Sequence, residues 1–210
     1  MDFQEKAATR RAALSERQVR RWKRQQKKIL SAAGRLFWKK GYNGTSIDDI
    51  AKLADVNKAT IYYYFKDKPS LLNTLMLIPM EELLKLARQI AHTELRPTER
   101  LKSLITTHVK WQISQTGVAA IGHVERKNLP LKYRRKYINM RDKYEHIYRE
   151  TIKNGIENGV FSFYDAKIAT LFTLGLVNSI MQWYKPKGRF SADEIAKETV
   201  NYVLGALKAS

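Results

Sequence analysis

The sequence predicts an all-α fold, with a small N-terminal unit of three short-spaced helices followed by a larger helical region, and three observations carry that prediction. From Trp22 onward, apolar residues recur at helical spacing in nearly every segment, and no run alternates convincingly with the period of a strand. The interruptions are turn-forming: Arg96-Pro97, Asn128-Leu129-Pro130, Gly155 to Gly159, and Lys185-Pro186-Lys187-Gly188. Helix starts also crowd together, three of them falling between Thr45 and Pro69.

Residues 1–21 are polar and basic with scattered Ala, too little apolar surface to offset ordering entropy, which predicts a flexible arm or a loosely helical extension. The first helix is expected from about Trp22, with Ile29, Ala33, Leu36 and Phe37 on one buried stripe and Gly41 as its C-terminal stop. Thr45 or Ser46 can cap the second, because each has an Asp three residues on (Asp48, Asp49), and this helix ends near Asp55. Asn57 caps a third, very short helix from Lys58 to about Phe65, and Asp67 caps a fourth that begins near Pro69, where a missing amide proton costs nothing. Beyond it, helices are expected over 69–92 with a bend at Pro79, then 98–116, 118–127, 131–156, 165–184 and 192–208. The domain reading is a basic arm over 1–21, a small domain of closely spaced helices over 22–68, and a larger helical domain over 69–210.

Composition narrows the partners. The chain has 210 residues and a net charge of +19, which favours a polyanionic partner over a neutral one. The first 68 residues hold 17 Lys/Arg against 7 Asp/Glu, so nucleic acid is to be sought in the N-terminal third. The run Arg17 to Lys28 reads either as a solvated face or, beside a DNA-reading unit, as a backbone or minor-groove contact. There is no cysteine, so neither disulfides nor thiolate metal sites are available. Residues 1–28 contain no apolar run of signal-peptide length, which predicts a cytoplasmic protein. The uncharged stretch Ile168 to Tyr184 is 17 residues long and carries several polar side chains, so a buried helix is expected there rather than a membrane span.

Two short helices joined by Ala54-Asp55-Val56 match the plan in which one helix braces and the next enters the major groove. Ile50, Val56, Ile61 and Phe65 are expected to lock the pair onto the first helix, leaving Lys58, Ala59, Thr60, Tyr62 and Tyr63 to project outward. Such a set of small, hydroxyl, basic and aromatic side chains suits base edges and phosphates. The stretch from Thr45 to Leu72, TSIDDIAKLADVNKATIYYYFKDKPSLL, closely resembles the DNA-binding signature of the tetracycline-repressor-like (TetR) family. That resemblance implies phosphate contact from Ser46, groove contact from Lys58, Ala59, Thr60 and Tyr62, and a grip on the flanking backbone from Tyr63, Tyr64 and Lys68. Two positions depart from the family pattern: Asp55 stands where Gly is usual, and Tyr64 where His is frequent. Asp tolerates the left-handed conformation better than most residues, so the turn is expected to survive. Tyr64 lies three residues from the buried Ile61, and a place in the core is its other reading.

For the rest of the chain the resemblance implies a ligand pocket and a two-fold dimer, with the last two helices pairing with their copies through Leu171, Leu174, Ile195, Thr199, Tyr202 and Val203. The segments GHVERKNLPLKYRRK, from Gly122 to Lys136, and MQWYKPKGRFSADEIA, from Met181 to Ala196, look like the acyl-CoA-responsive branch of that family. A coenzyme A thioester needs an apolar tunnel and positive charge for its phosphates. Arg126, Lys127, Lys132, Arg134 and Arg135 are the candidates for the charge, although such a basic cluster also suits a solvated face. Trp111, Met140, Tyr144, Tyr148, Val177, Asn178 and Met181 are the candidate walls, although aromatic residues at this spacing also suit an ordinary core. The expected partners are therefore a near-palindromic double-stranded operator, a small-molecule effector such as an acyl-CoA, and a second copy of the chain. The four histidines are scattered and no Gly-rich phosphate loop occurs, so no metal, cofactor or catalytic residue is assigned and an enzyme is not expected. A non-specific architectural DNA protein is the remaining rival, since charge alone drives such binding.

Overall fold

The structure is a computed structural model, and it describes residues 15–115, 121 and 125–207. Among these residues the regular structure is helical: α1 (Glu16–Lys40), α2 (Ile47–Leu53), α3 (Lys58–Tyr64), α4 (Lys68–Ala91), α5 (Pro97–Ser114), α6 (Leu131–Glu157), α7 (Ala166–Trp183) and α8 (Ala192–Leu207), with a single 3-10 turn at Arg126–Asn128. Most of the expected helix over 118–127 lies outside the described residues, while Arg126 and Lys127 belong to the 3-10 turn. No described helix is long and apolar enough to cross a membrane.

The first helix begins earlier than the sequence suggests. Ser15 and Gln18 form a reciprocal capping box that satisfies two amides at the start of α1, so residues 16–21, expected in the arm, are helical. Residues 1–14 of that arm lie outside the described residues. Gly41, at φ 74°, stops the helix as anticipated. At α4, Asp67 and Ser70 cap each other reciprocally, and the helix runs through Pro79 without ending.

The chain divides into two compact units. One is built from Met1–Leu77 and Gly117–Arg134, the other from Ile78–Thr116 and Arg135–Ser210. The division falls inside α4 and again inside α6, whose first residues, Leu131 to Arg134, belong to the first unit. In the first unit, Ile29, Ala33 and Phe37 of α1 share a core with Ile50, Ala54, Ile61 and Phe65 of α2 and α3, all at or near zero exposure. This is the packing that the helical stripe of α1 requires. In the second unit, α5 packs on α7 and α8, with Leu101, Ile105, Val109, Val177, Ile180 and Val203 buried. Gly155 is there for close approach, since a Cβ would collide with the ring of the buried Phe161.

Candidate nucleic-acid interface and effector site

The turn between α2 and α3 depends on Asp55, which adopts φ 49°. Its left-handed backbone reverses the chain without a glycine, and its exposed carboxylate pairs with Lys28 Nζ of α1 at 3.4 Å. Of the two residues able to cap α2, Ser46 does so. Its hydroxyl accepts the Asp49 N–H at 3.0 Å, and the Asp49 carboxylate accepts the Ser46 N–H at 2.9 Å. The Ser46 N–H, and with it the Ser46 hydroxyl donating to the same oxygen at 2.8 Å, holds the Asp49 carboxyl below the usual carboxylate range. Thr45 is instead buried, and its hydroxyl donates to the Gly41 carbonyl.

Asn57 opens α3 by accepting the Thr60 N–H at 2.7 Å, and the Thr60 hydroxyl donates to the same oxygen. Two turns cannot stand alone, and α3 is held by Ile61 and by Phe65 just beyond it, both buried. Opposite these anchors the helix presents Lys58, Ala59, Tyr62 and Tyr63. Tyr62 and Tyr63 are 44% and 49% exposed, unusual for rings in a unit with a well-filled core. Lys58 is exposed, and its Nζ donates to Asp48 Oδ2 at 2.9 Å. That bond raises the lysine above its ordinary pKa and keeps it cationic.

Two of the expected backbone contacts have other neighbours. Tyr64 is half-buried against Trp22 of α1, ring centroids 5.1 Å apart, and meets Tyr63 edge-on at 5.3 Å. Lys68 is half-buried, its Nζ 4.1 Å above the ring of Tyr42, and burial pushes its pKa down while the carboxylate of Glu125 opposes the shift. Glu125 was not singled out from the sequence, yet it is 5% exposed and accepts the Tyr42 N–H at 3.0 Å and an Asn128 amide N–H at 2.5 Å. Its signal was available: it is the sole acid among the six cations of the segment Gly122 to Lys136.

The expected effector residues divide between the units. Arg126, Lys127 and Arg134 belong to the first. Arg126 and Lys127 are exposed, but Arg134 is committed, its guanidinium donating to the carbonyls of Lys127 and Leu129 at 2.8 and 3.0 Å. It closes the turn into α6 rather than standing open as a phosphate ligand. Trp111, Met140, Tyr144, Tyr148, Val177, Asn178 and Met181 belong to the second unit. Met140, Tyr144 and Tyr148 form one buried face of α6, and the two tyrosine hydroxyls lie 3.4 Å apart. Burial drives both phenols far above their ordinary pKa, so they stay neutral. Tyr144 also meets the ring of His108 edge-on at 5.3 Å. Val177 is fully buried, while Trp111, Asn178 and Met181 are half-buried.

Sequence reasoning missed the neighbour of Trp111. Gln112 is 3% exposed, and its amide N–H donates at 3.4 Å to the Asn178 carbonyl. Reversing the amide would set two oxygens against each other, so this orientation is fixed. Its Oε1 is then buried without a partner among the described residues, as is Trp111 Nε1. One acceptor and one donor without a partner among the described residues therefore sit on successive residues of α5.

The dimer residues also need correction. Ile195, Thr199 and Val203 are buried within their own chain, where they pack α8 in the second unit. The exposed apolar side of the last two helices comprises Ile168, Leu171, Phe172 and Tyr202. The spacing of α8 alone could not tell which of its two apolar sides meets the rest of the chain. Among the described residues, no group of His, Cys, Asp and Glu is placed to hold a metal.

Comparison with known proteins agrees with this architecture. Residues 29–75 match the family described as "Bacterial regulatory proteins, tetR family", and residues 94–207 match "Tetracyclin repressor-like, C-terminal domain". The chain is 25% identical over 181 residues to the HTH-type transcriptional repressor KstR2 of Rhodococcus jostii, covering 85% of this chain and 89% of that protein. The biofilm operon regulator IcaR of Staphylococcus aureus is 50% identical over 44 residues, 21% of this chain and 24% of its own length. Among solved structures, PfmR of Thermus thermophilus aligns with a TM-score of 0.77 at 28% identity, covering 86% of this chain and 99% of that one. The AibR complex with isovaleryl coenzyme A and operator DNA aligns in fold with a TM-score of 0.76 at 24% identity, covering 87% and 97% of the two chains. The chain belongs to the tetR family of bacterial regulatory proteins and is a helix-turn-helix transcriptional regulator.

Proposed function

We propose that this regulator is a cytoplasmic repressor that binds a near-palindromic operator as a homodimer and leaves it when an acyl-CoA thioester binds. The exposed face of α3 carries the DNA half of this reading. Lys58, Ala59, Thr60 and Tyr62 are the base-reading set, with Ser46, Tyr63, Tyr64 and Lys68 on the flanking phosphates. In the free protein Lys58 is held by Asp48, and it exchanges that carboxylate for DNA on binding.

A second copy is supported by the exposed side of α7 and α8. Besides Ile168, Leu171, Phe172 and Tyr202, it carries Gly175 and Gly205 inside helices, where a Cβ would meet nothing among the described residues. Glycine inside a helix costs roughly 0.5–1 kcal/mol relative to alanine, and no contact among the described residues explains that cost at Gly175. Close approach of a partner helix does. Such a dimer sets two recognition helices on half-sites about 34–36 Å apart.

The effector half rests on chemistry. Neutral buried tyrosines, Met140, Val177, Met181 and the unpartnered polar atoms of Trp111 and Gln112 suit a largely apolar ligand with hydrogen-bonding groups. Taken by themselves, the exposed cations Arg126, Lys127 and Lys132 of the first unit and Arg135 of the second suit phosphate groups. KstR2 is named a repressor, and AibR has been seen with isovaleryl coenzyme A and operator DNA. By linkage, a ligand that weakens DNA binding is weakened by DNA to the same factor. No catalytic role is proposed.

The test is selection of an operator from random DNA, then titration of the selected fragment with acyl-CoA thioesters and the matching free acids. A discrete operator released by thioesters is expected. Release by free acids alone sinks the coenzyme A assignment, and an operator indifferent to both sinks this effector class. Lys58→Ala is expected to lose about 1–3 kcal/mol of specific binding, and Phe172→Glu to shift the chain to monomer in sedimentation.

A further inference from the structure

We infer that the N-terminal half of α1 is a phosphate-binding extension of the recognition unit, held beside the recognition helix by Trp22 against Tyr64. The inference rests on the DNA-binding reading above and extends the interface beyond the helix-turn-helix itself.

The helix α1 has 25 residues, a rod of about 38 Å at 1.5 Å per residue. Its first fully buried residue is Ile29, so residues 16–28 project about 20 Å ahead of the shared core. A helix with no packed face is marginal in water. This segment is nevertheless helical, with the capping box at Ser15 securing its start and the Trp22–Tyr64 ring contact tying its middle to the end of α3.

Between residues 16 and 28 there are seven Lys/Arg and one acid, Glu16. All seven cations are exposed. Arg17, Arg21, Arg24 and Lys28 follow the i, i+4, i+7, i+11 spacing of a single stripe. Two of its members locate the stripe. Lys28 pairs with Asp55 in the turn between α2 and α3. Arg21 immediately precedes Trp22, whose ring packs on Tyr64 at the end of the recognition helix, and its charge opposes the upward shift that burial and Tyr63 impose on the Tyr64 phenol. The cationic stripe therefore lies along the flank of the helix-turn-helix.

From Arg17 to Lys28 the stripe spans about 17 Å, long enough to lie along consecutive phosphates of one strand beside the half-site. As backbone contacts, these cations add affinity without reading sequence directly. Trp22 is a positioning residue. It touches no nucleic acid in this account, and it keeps the charges in line.

The experiment measures binding of the full chain to the selected operator with native flanks, to a fragment trimmed to its half-sites, and to unrelated duplex, over about 50–300 mM salt. The triple variant Arg17→Ala, Arg21→Ala, Arg24→Ala keeps the helix, because alanine favours it. Its slope of log K against log salt is expected to fall by about 2–3 per protomer, at roughly 0.9 per lost phosphate contact. Affinity is expected to drop about 10–100-fold on flanked and unrelated DNA and little on the trimmed fragment. Trp22→Ala, with every charge retained, is expected to lose part of the same slope, with helicity and α3 packing checked by circular dichroism and by retained binding to the trimmed fragment. An unchanged slope in the triple variant overturns the extension, and an unchanged slope in Trp22→Ala overturns its positioning. Failure of the wild-type chain to select any operator is a separate result and overturns the repressor reading instead.

Discussion

The Glu125 carboxylate accepts the backbone N–H of Tyr42 at 3.0 Å, joining residues 83 positions apart. Glu125 is buried, its other oxygen is held by Asn128, and its carboxylate acts on Lys68, the first residue of α4. A single acid thus ties the turn after α1 to the segment that leads into α6. Glu125→Ala leaves that amide without its acceptor and is expected to cost about 1–3 kcal/mol. Urea unfolding followed by tyrosine and tryptophan fluorescence measures it. A loss below about 0.5 kcal/mol would show that water replaces the carboxylate and that the tie contributes little.

Asp55 holds a left-handed backbone that glycine adopts without strain. Its ion pair with Lys28 is almost fully exposed on the Asp55 side and contributes little. Asp55→Gly is therefore expected to leave stability within about 1 kcal/mol of wild type, and Asp55→Val to lose about 1–2 kcal/mol or more. Thermal unfolding of the two variants side by side separates backbone strain from the lost ion pair. Equal destabilisation of both would assign the cost to the ion pair.

Gln112→Leu removes a buried acceptor that has no partner among the described residues. The ligand-free variant is expected to be as stable as wild type, or more stable by about 1 kcal/mol, while its affinity for effector falls. Denaturant midpoints and calorimetric titration with the thioester that releases operator test both halves. Destabilisation together with unchanged effector affinity would make Gln112 a structural residue only.

Two carboxylates at helix starts respond to acid. Asp49 and Glu194 are held below their ordinary range, first by the backbone N–H groups of Ser46 and Ser191 and then by the hydroxyls of the same serines. Groups whose folded pKa is depressed stabilise the fold above their unfolded values and lose that contribution as pH falls through the folded ones. The double variant Asp49→Asn, Glu194→Gln is expected to melt below wild type at pH 7, and the gap is expected to close towards pH 2. A gap constant in pH would mean that the amides replace the carboxylates in shape alone.

The sequence by itself determined the helical class, the order of the helices and the recognition helix. Each of these is written in local chemistry: Gly41 ends α1, Ser46 and Asn57 cap α2 and α3, and the spacing from Ile50 to Phe65 separates anchors from exposed side chains. Tertiary structure alone decided which of several locally equivalent faces is buried. Ile195, Thr199 and Val203 turn into their own chain while Tyr202 turns out, Tyr64 meets Trp22 across 42 positions of sequence, and Arg134 closes a turn rather than standing open. Periodicity shows that a helix has an apolar side but not what covers it. Buried polar atoms such as Gln112 Oε1 and the Glu125 carboxylate are defined only by neighbours remote in sequence, because burial and hydrogen-bond partnership belong to the packed chain and not to any local segment of it.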